Sequence, residues 1–258
     1  KQYLDLIIKN HNFSNPNIYK TFENLDGSYD LFFSLGGDGT ILSSAKYVKN
    51  VNIPIVGINT GRLGFLATIH KDEVSSNIND ILNGDYTISE RSLLEVKSTD
   101  LDFNKQRFNH ALNEITISRK DTTSMISIDT WIDDEHIGAY WADGLIVSTP
   151  TGSTGYSLSC GGPIITPQTK SLVLSPIAPH NLNARPLVVP DQTKIKLKVF
   201  GREDNFLIST DSRIHTLSQE HEIYIKKADF KIKLALHKDN SFLKTLRKKL
   251  LWGEDQRN

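Results

Sequence analysis

Cysteine and methionine are nearly missing from this chain of 258 residues, which has only Cys160 and Met125. A single thiol rules out a disulfide framework and any multi-cysteine metal site, and it suits a reducing, cytoplasmic compartment. An excess of either charge is missing as well. The 30 Lys and Arg residues balance 30 Asp and Glu, which argues against a nucleic-acid groove or a strongly acidic partner. No apolar run approaches the roughly 20 residues that cross a bilayer, and no charged-then-apolar leader is visible. The histidines form neither a His-Glu-x-x-His motif nor an i, i+4 pair, so no zinc site is spelled out. Three phosphate-handling signatures are also absent: the Gly-Lys-Ser/Thr of a Walker loop, the third glycine of a dinucleotide fingerprint, and the His-Arg-Asp and Asp-Phe-Gly set of protein kinases. The sequence begins at Lys1 with no methionine before Met125, so a start upstream of it is expected.

What is present divides by rhythm. In the first third, strand-like and helix-like segments alternate. Residues 29–35 form a short apolar run stopped by Gly36-Gly37, which predicts a buried strand. Residues 40–48 carry Ile41, Leu42, Ala45 and Val48 at helical spacing. Residues 53–58 predict a second buried strand leading into the glycine-rich "NTGRLGFL" of 59–66, and 72–82 predict a helix stopped by Asn83-Gly84. This order predicts a Rossmann-like α/β domain, 1–88, whose parallel sheet binds ligands at the carboxyl ends of its strands.

From about residue 88 the chain turns β-rich, with "SLLEVKS", "EITISR", "MISIDTWID", "GLIVSTP", "SLVLSP", "KIKLKVF", "NFLIST", "EIYIKK" and "FKIKLAL" all strand-like. "KIKLKVF" alternates cleanly, with Ile195, Leu197 and Val199 on one face and lysines on the other. A sandwich-like domain over 89–236 is expected. A helix within 237–258 should follow, capped by Asn240 or Ser241, striped by Phe242, Leu243, Leu246 and Leu250, and stopped by Gly253. It is expected to pack back on the first domain. Two domains are within what this length allows.

Four stretches could carry chemistry. "GGDGT", 36–40, sets Gly36, Gly37, Gly39 and Thr40 around Asp38 between a strand and a helix. A plain tight turn would use the same residues. The alternative is a phosphate cradle at a helix N-terminus with a carboxylate aimed at the same point. "DGLIVSTPTGSTGYSLSCGGP", 143–163, runs an apolar strand into Thr151, Ser153, Thr154, Gly155, Tyr156, Ser157, Leu158 and Ser159, a dense set of hydroxyls on a backbone that can approach a ligand closely. Asn113-Glu114 is a polar pair at the mouth of a strand, where solvation is the commoner reason for such residues. In "NTGRLGFL", Arg62 follows a glycine, and Phe65 is either core or a surface on which a base could stack.

Together these stretches resemble a known family. "GGDGT" by itself is similar to a superfamily of NAD kinases, lipid kinases and phosphofructokinases. "NTGRLGFL", "LNEI", the 143–163 run and "SPIAPHNLNARPLVV", 175–189, narrow the resemblance to NAD kinases of bacterial type, in order and spacing, over nearly the whole chain from residue 31. The resemblance implies phosphoryl transfer from ATP to the 2′-hydroxyl of the adenosine ribose of NAD, giving NADP. It also implies Mg²⁺ or another divalent cation, and a homo-oligomer, tetramer or dimer, with no membrane and no nucleic acid among the partners. Residue by residue, Asp38 falls on the catalytic aspartate, with Gly36, Gly37, Gly39 and Thr40 about it. Asn113 and Glu114 fall on the pair that binds the dinucleotide, and Asp143 on the aspartate ahead of the hydroxyl run. Residues 154–159 fall on the segment that wraps adenine and ribose. Arg62, Phe65, Thr151, Ser153 and Ala178 join the implied nucleotide site.

No dedicated metal cage is implied, and Asp38 is the candidate ligand. A ribose hydroxyl is a weak nucleophile that needs a base or metal to take its proton, so Asp38 as base or as ligand both stay open. The chain departs from the family in Gly155, often alanine, in Cys160, also commonly alanine, in Trp141, often basic, and in Arg213, often glutamine or histidine. Arg213 is expected to add a charge-assisted contact to the 2′-phosphate of NADP. A lipid kinase of the same superfamily and a non-catalytic NADP sensor are the alternative readings.

Overall fold

The computed structural model describes residues 25–105, 108–121 and 124–251. Its first half alternates: β1 (Phe32–Gly36), α1 (Asp38–Val48), β2 (Ile55–Asn59), β3 (Ile69–His70), α2 (Val74–Leu82) and β4 (Tyr86–Ser98). After α3 (Leu101–Asn104) come β5 (His110–Ala111), β6 (Glu114–Arg119), β7 (Ile126–Ile132), β8 (Glu135–Ala142) and β9 (Gly144–Ser148). The short α4 (Tyr156–Ser159) leads to β10 (Ser171–Ile177), β11 (Leu187–Pro190), β12 (Ile195–Phe200), β13 (Asn205–Thr210), β14 (Arg213–Ser218), β15 (Glu222–His237) and finally α5 (Phe242–Leu250).

Two sheets organise these elements. One has nine strands, in the order β1-β2-β15-β12-β7-β8, with β3 on β2 and β4 bridging β15 and β5; the other has six, β11-β10-β9-β6-β13-β14. β1, β3 and the end of β15 lie parallel to β2, and α1 packs Ile41, Ala45 and Val48 against Ile55, Leu93, Leu112 and Leu234. This is the expected α/β layer. The sandwich forms where the rest of the large sheet faces the small one, closing Val96, Ile128, Leu197 and Ile223 over Ile115, Val147, Leu174 and Ile208. The alternation of β12 lands as expected, with Ile195, Leu197 and Val199 all buried.

The two halves share a ribbon. β4 pairs with β15 over nearly its full length, interrupted by one bulge between Lys227 and Lys231. Before the bulge β15 belongs to the sandwich, and after it Leu234 pairs with Ile55 of β2. "EIYIKK" and "FKIKLAL" are therefore one bent strand. Residue 88, where composition shifts, lies inside β4 and not in a linker.

Some expectations need correction. β1 starts at Phe32, is half-buried, and exposes Leu35 at 58 %, because among the described residues it pairs only with β2. β8 and β14 are strands the hydrophobic pattern did not announce. Both alternate exposed and half-buried residues over much of their length, so periodicity carries little signal. In α5 the Ser241 side chain accepts from Lys244 N–H at 3.2 Å, the expected cap. Of its stripe only Leu246 is buried; Leu243 is 65 % exposed. Gly253 lies outside the described residues. Phe242 meets the Phe65 ring at 6.0 Å, so α5 does pack back on the α/β half.

Candidate active site

The carboxylate at the start of α1 is tied to a second loop. Asp38 Oδ2 accepts the Phe65 N–H at 2.7 Å, and Oδ1 accepts those of Leu66 and Ala67, each at 3.0 Å. The glycines make this possible. Gly36 has φ +151°, and a Cβ there would lie 2.1 Å from Thr40 Oγ1; a Cβ on Gly64 would lie 1.9 Å from Asp38 Oδ1. Gly37 serves as N-cap without a side-chain bond, and Gly37, Gly39 and Thr40 are exposed. The helix N-terminus thus opens to solvent beside a carboxylate that three amides hold in place.

The second loop has its own organiser. Asn59, fully buried at the end of β2, donates to Arg62 O at 2.6 Å and Ala67 O at 3.3 Å, and accepts from Gly61 N–H at 2.8 Å. Arg62 is exposed. Phe65 is 8 % exposed beneath Phe242 and the Lys249 amine, so of its two fates it takes the core one.

Leu66 and Ala67 share a core cluster with Leu112, which brings the Asp38 loop next to the Asn113-Glu114 turn. Glu114 is 9 % exposed, and burial pushes its carboxyl up to about 7, with the Asp211 charge adding to the shift and a backbone bond from Tyr156 opposing it. Glu114 Oε2 and Asn113 Oδ1 are buried without a hydrogen-bond partner. Both residues face the hydroxyl run. A Cβ on Gly152 would lie 2.1 Å from Asn113 O, and one on Gly155 would lie 3.0 Å from Glu114 Oε2. The glycine at 155 leaves room directly over the unsatisfied Glu114 Oε2, with Asn113 Nδ2 3.3 Å from where its Cβ would lie.

The hydroxyls of the run split into builders and free groups. Ser153 is fully buried, donating to Pro150 O at 2.7 Å and accepting from Ile165 N–H at 3.0 Å. Ser157 bonds Ser175 Oγ at 2.8 Å. Thr154 bonds back to Thr151 O at 3.2 Å. Thr151 Oγ1 receives the guanidinium of Arg91 at 3.5 Å; Arg91 is 4 % exposed, bonds otherwise to Ser89, and burial lowers it to about 10. Ser159 and Tyr156 are exposed and Leu158 is half-buried. The Tyr156 phenol is held above its usual value, by burial first and then by the charges of Cys160, Asp143 and Glu114.

Asp143 and Ala178 sit at the other end of β9. Since Ser148 pairs with Glu114 and Gly144 with Ser118, Asp143 is about five residues, ~15 Å, along the strand from the Glu114 turn. It pairs with Arg119 at 3.1 Å and donates its N–H to Ile177 O, one residue before Ala178. The carboxyl groups of both ends, Asp143 and Glu114, act on the Tyr156 phenol. Arg213 donates to the His110 carbonyl and lies 5.0 Å from the Phe108 ring, with Nε buried and unpartnered.

Among the described residues no group of three or more His, Cys, Asp or Glu could hold a metal; Asp38 accepts three amides and Asp143 pairs with Arg119. A groove of about 300 Å³ on the large sheet, lined in part by Glu95, Lys97, Tyr224 and Lys226, holds no expected site residue. Its Glu95 is already paired with Lys97 and Lys226.

Two organising residues, Asn59 and Asp211, escaped the sequence reading. Asn59 had a faint signal as a buried-type polar residue ending an apolar strand. Asp211, in a short β-turn, had none.

An α/β half with a phosphate-type turn, fused through one ribbon to a sandwich that presents a hydroxyl-rich loop, defines a two-domain kinase for a small nucleotide substrate. The comparisons narrow this class. Residues 6–86 match the model of the ATP-NAD kinase N-terminal domain and 112–236 that of the C-terminal domain. The chain is 60 % identical to the NAD kinase of Christiangramia forsetii over 93 % of its length and 82 % of the relative's. It is 56 % identical to that of Flavobacterium johnsoniae, covering 93 % and 83 %. In structure it resembles yeast NADH kinase complexed with NADH, with TM-score 0.81 and 28 % identity, covering 88 % of this chain and 68 % of that one. It also resembles an NAD kinase from Archaeoglobus fulgidus in complex with ATP, with TM-score 0.74 and 28 % identity, covering 90 % and 88 %. The chain belongs to the ATP-NAD kinase family.

Proposed function

We infer that the chain transfers the terminal phosphoryl group of ATP to the 2′-hydroxyl of the adenosine ribose of NAD, releasing ADP and NADP. The observation that carries this reading is the buried, unpartnered Glu114 Oε2 over which Gly155 leaves room, with Asn113 Oδ1 a second buried, unpartnered acceptor on the preceding residue. Acceptors left unsatisfied in the protein call for donors from a ligand, and ribose hydroxyls are such donors. In this reading Tyr156, Ser159, Asp143 and Ala178 border the nucleotide, while Thr151, Ser153, Thr154 and Ser157 shape the loop that carries it.

Asp38 takes the proton of the attacking hydroxyl. A carboxylate offers about four lone-pair sites, and three are filled by the amides of residues 65–67. One remains for the ribose O–H, and the amides fix its direction. The exposed start of α1 faces the phosphate side, where backbone N–H groups favour negative charge. Positioning and charge neutralisation are most of what phosphoryl transfer asks of a protein. The divalent cation implied by the family finds no group of three or more protein ligands among the described residues, and the roles given to these residues do not depend on one.

Trp141, Leu182, Leu187 and Val188 are exposed apolar residues on β8, on β11 and in the loop ahead of it, with Leu182 90 % exposed; this supports a homo-oligomer, tetramer or dimer, which light scattering on the purified chain measures. No helix among the described residues is long and apolar enough to cross a membrane, and with the single cysteine this supports a cytoplasmic site of action.

The test of the main reading mixes purified protein with NAD, ATP and Mg²⁺ and detects NADP with an NADP-specific dehydrogenase. Folded protein that forms no NADP overturns the activity and leaves an NADP sensor; phosphorylation of diacylglycerol in its place would identify a lipid kinase. Asp38→Asn should keep NAD binding in calorimetry while turnover falls about 10²–10⁴-fold.

A further inference from the structure

Asp211 occupies the tight turn between β13 and β14 with φ 52°, a left-handed conformation that aspartate tolerates. Its carboxylate gathers three consecutive amides. Oδ2 accepts Leu112 N–H at 3.0 Å, and Oδ1 accepts those of Asn113 and Glu114 at 2.9 and 3.3 Å. The Asp211 N–H donates in return to Glu114 O at 2.9 Å. Sheet pairing does not supply these bonds, because the β13–β6 ladder ends at the pair Thr210 and Ile115. On that side the turn of residues 112–114 hangs from one carboxylate.

An acid is an expensive choice for this task. It stands beside Glu114, and two neighbouring buried carboxylates repel. Burial raises the Asp211 carboxyl above its usual value, and the three amides and Arg213, which favour the charged form, offset only part of that. The groups acting on Glu114 are Asp211 from this turn and Tyr156 from α4, whose backbone donates to it. Asp143 acts on Tyr156 in turn.

We propose that Asp211 is a positioning residue of the kinase reaction: it holds the Leu112–Glu114 turn so that the Asn113 and Glu114 side chains face the ribose, with its own carboxylate seated on the Glu114 N–H. The proposal rests on the reading of the site given above. A neutral acceptor would build part of the turn but would not influence Glu114.

Asp211→Asn in the full chain separates position from charge. The carboxamide keeps the shape but turns a donor toward one of the three amides. KM for NAD should rise about ten-fold or more, as expected for one lost bond to a charged group, while KM for ATP stays within about two-fold. The acid limb of kcat/KM for NAD should move to lower pH, because Glu114 ionises more easily without the neighbouring charge. An unmoved acid limb, or equal rises in KM for both substrates, overturns the proposal and leaves Asp211 a folding residue. Asp211→Glu covers the case in which the asparagine variant melts. It keeps the charge and displaces the carboxylate by one methylene, so the limb should stay in place while KM for NAD rises; wild-type KM would equally sink the idea. A wild-type protein that forms no NADP refutes the kinase reading itself, a result distinct from these.

Discussion

At the scale of single residues, the carboxylate among the glycines does two things that look incompatible until its partners are named. Asp38 stands where phosphate should approach, yet three amides from residues 65–67 receive its charge. Gly64→Ala tests how far catalysis depends on that clamp. The new methyl would lie 1.9 Å from Asp38 Oδ1, and the whole carboxyl group lies within 2.8 Å of it. Either the loop or the aspartate must move. We expect kcat to fall at least ~100-fold while stability drops by only about 1–3 kcal/mol; wild-type kcat in a folded variant would show that the clamp is incidental. The sequence marked Asp38, Asn113 and Glu114 as site residues through the family resemblance, their own neighbours leaving a tight turn and a solvated pair as alternatives. It could not reveal that Asp38 reaches 27 residues downstream or that Asp211 reaches 97 to 99 residues back, since such bonds exist only after the sheets have formed. Arg213 shows the same gap. Its guanidinium donates to the His110 carbonyl, 103 residues back in the chain.

At the scale of elements, α5 distinguishes pattern from packing. Its amphipathic stripe and cap are legible in the sequence, but a terminal helix lying on one loop buries only part of that stripe. Phe242 touches Phe65, whose backbone N–H is one of the three holding Asp38. Leu243 points to water. Phe242→Ala should therefore lower the melting temperature, at a cost of about 2–4 kcal/mol, and raise KM or lower kcat through the loop. Leu243→Ala should leave both near wild type. Equal effects in thermal melts and kinetics would mean that α5 does not support the Asp38 loop. The β4–β15 ribbon carries a related lesson. Each of its halves reads as a strand, but the bulge at 228–230 that lets one strand serve two layers has no periodic signature. The edge strands β8 and β14 were hidden for a similar reason, having little apolar face to show.

At the scale of the whole molecule, the site imposes a cost on stability that should be visible in the pH dependence of unfolding. Glu114 is buried with one oxygen unpartnered, and its carboxyl is pushed from 4.5 to about 7. Between those values the native state holds a proton that the unfolded chain has released, so unfolding releases protons and stability falls as pH rises. Below about 4.5 both states are protonated and Glu114 costs nothing of this kind. Above about 7 both are ionised and the penalty is complete, on the order of 3 kcal/mol from the size of the shift. Glu114→Gln removes the titration while keeping the shape and an acceptor oxygen. It should be more stable than wild type at pH 8, the difference should shrink steadily toward pH 5, and NAD should bind more weakly to it throughout. Denaturant unfolding of both proteins at several pH values measures this directly. A difference that is flat with pH would place the ionisation of Glu114 outside this range and remove the electrostatic tension between Glu114 and Asp211. A difference that closes on acidification would mean that this kinase keeps a destabilising carboxylate at the mouth of β6 because the ribose requires it.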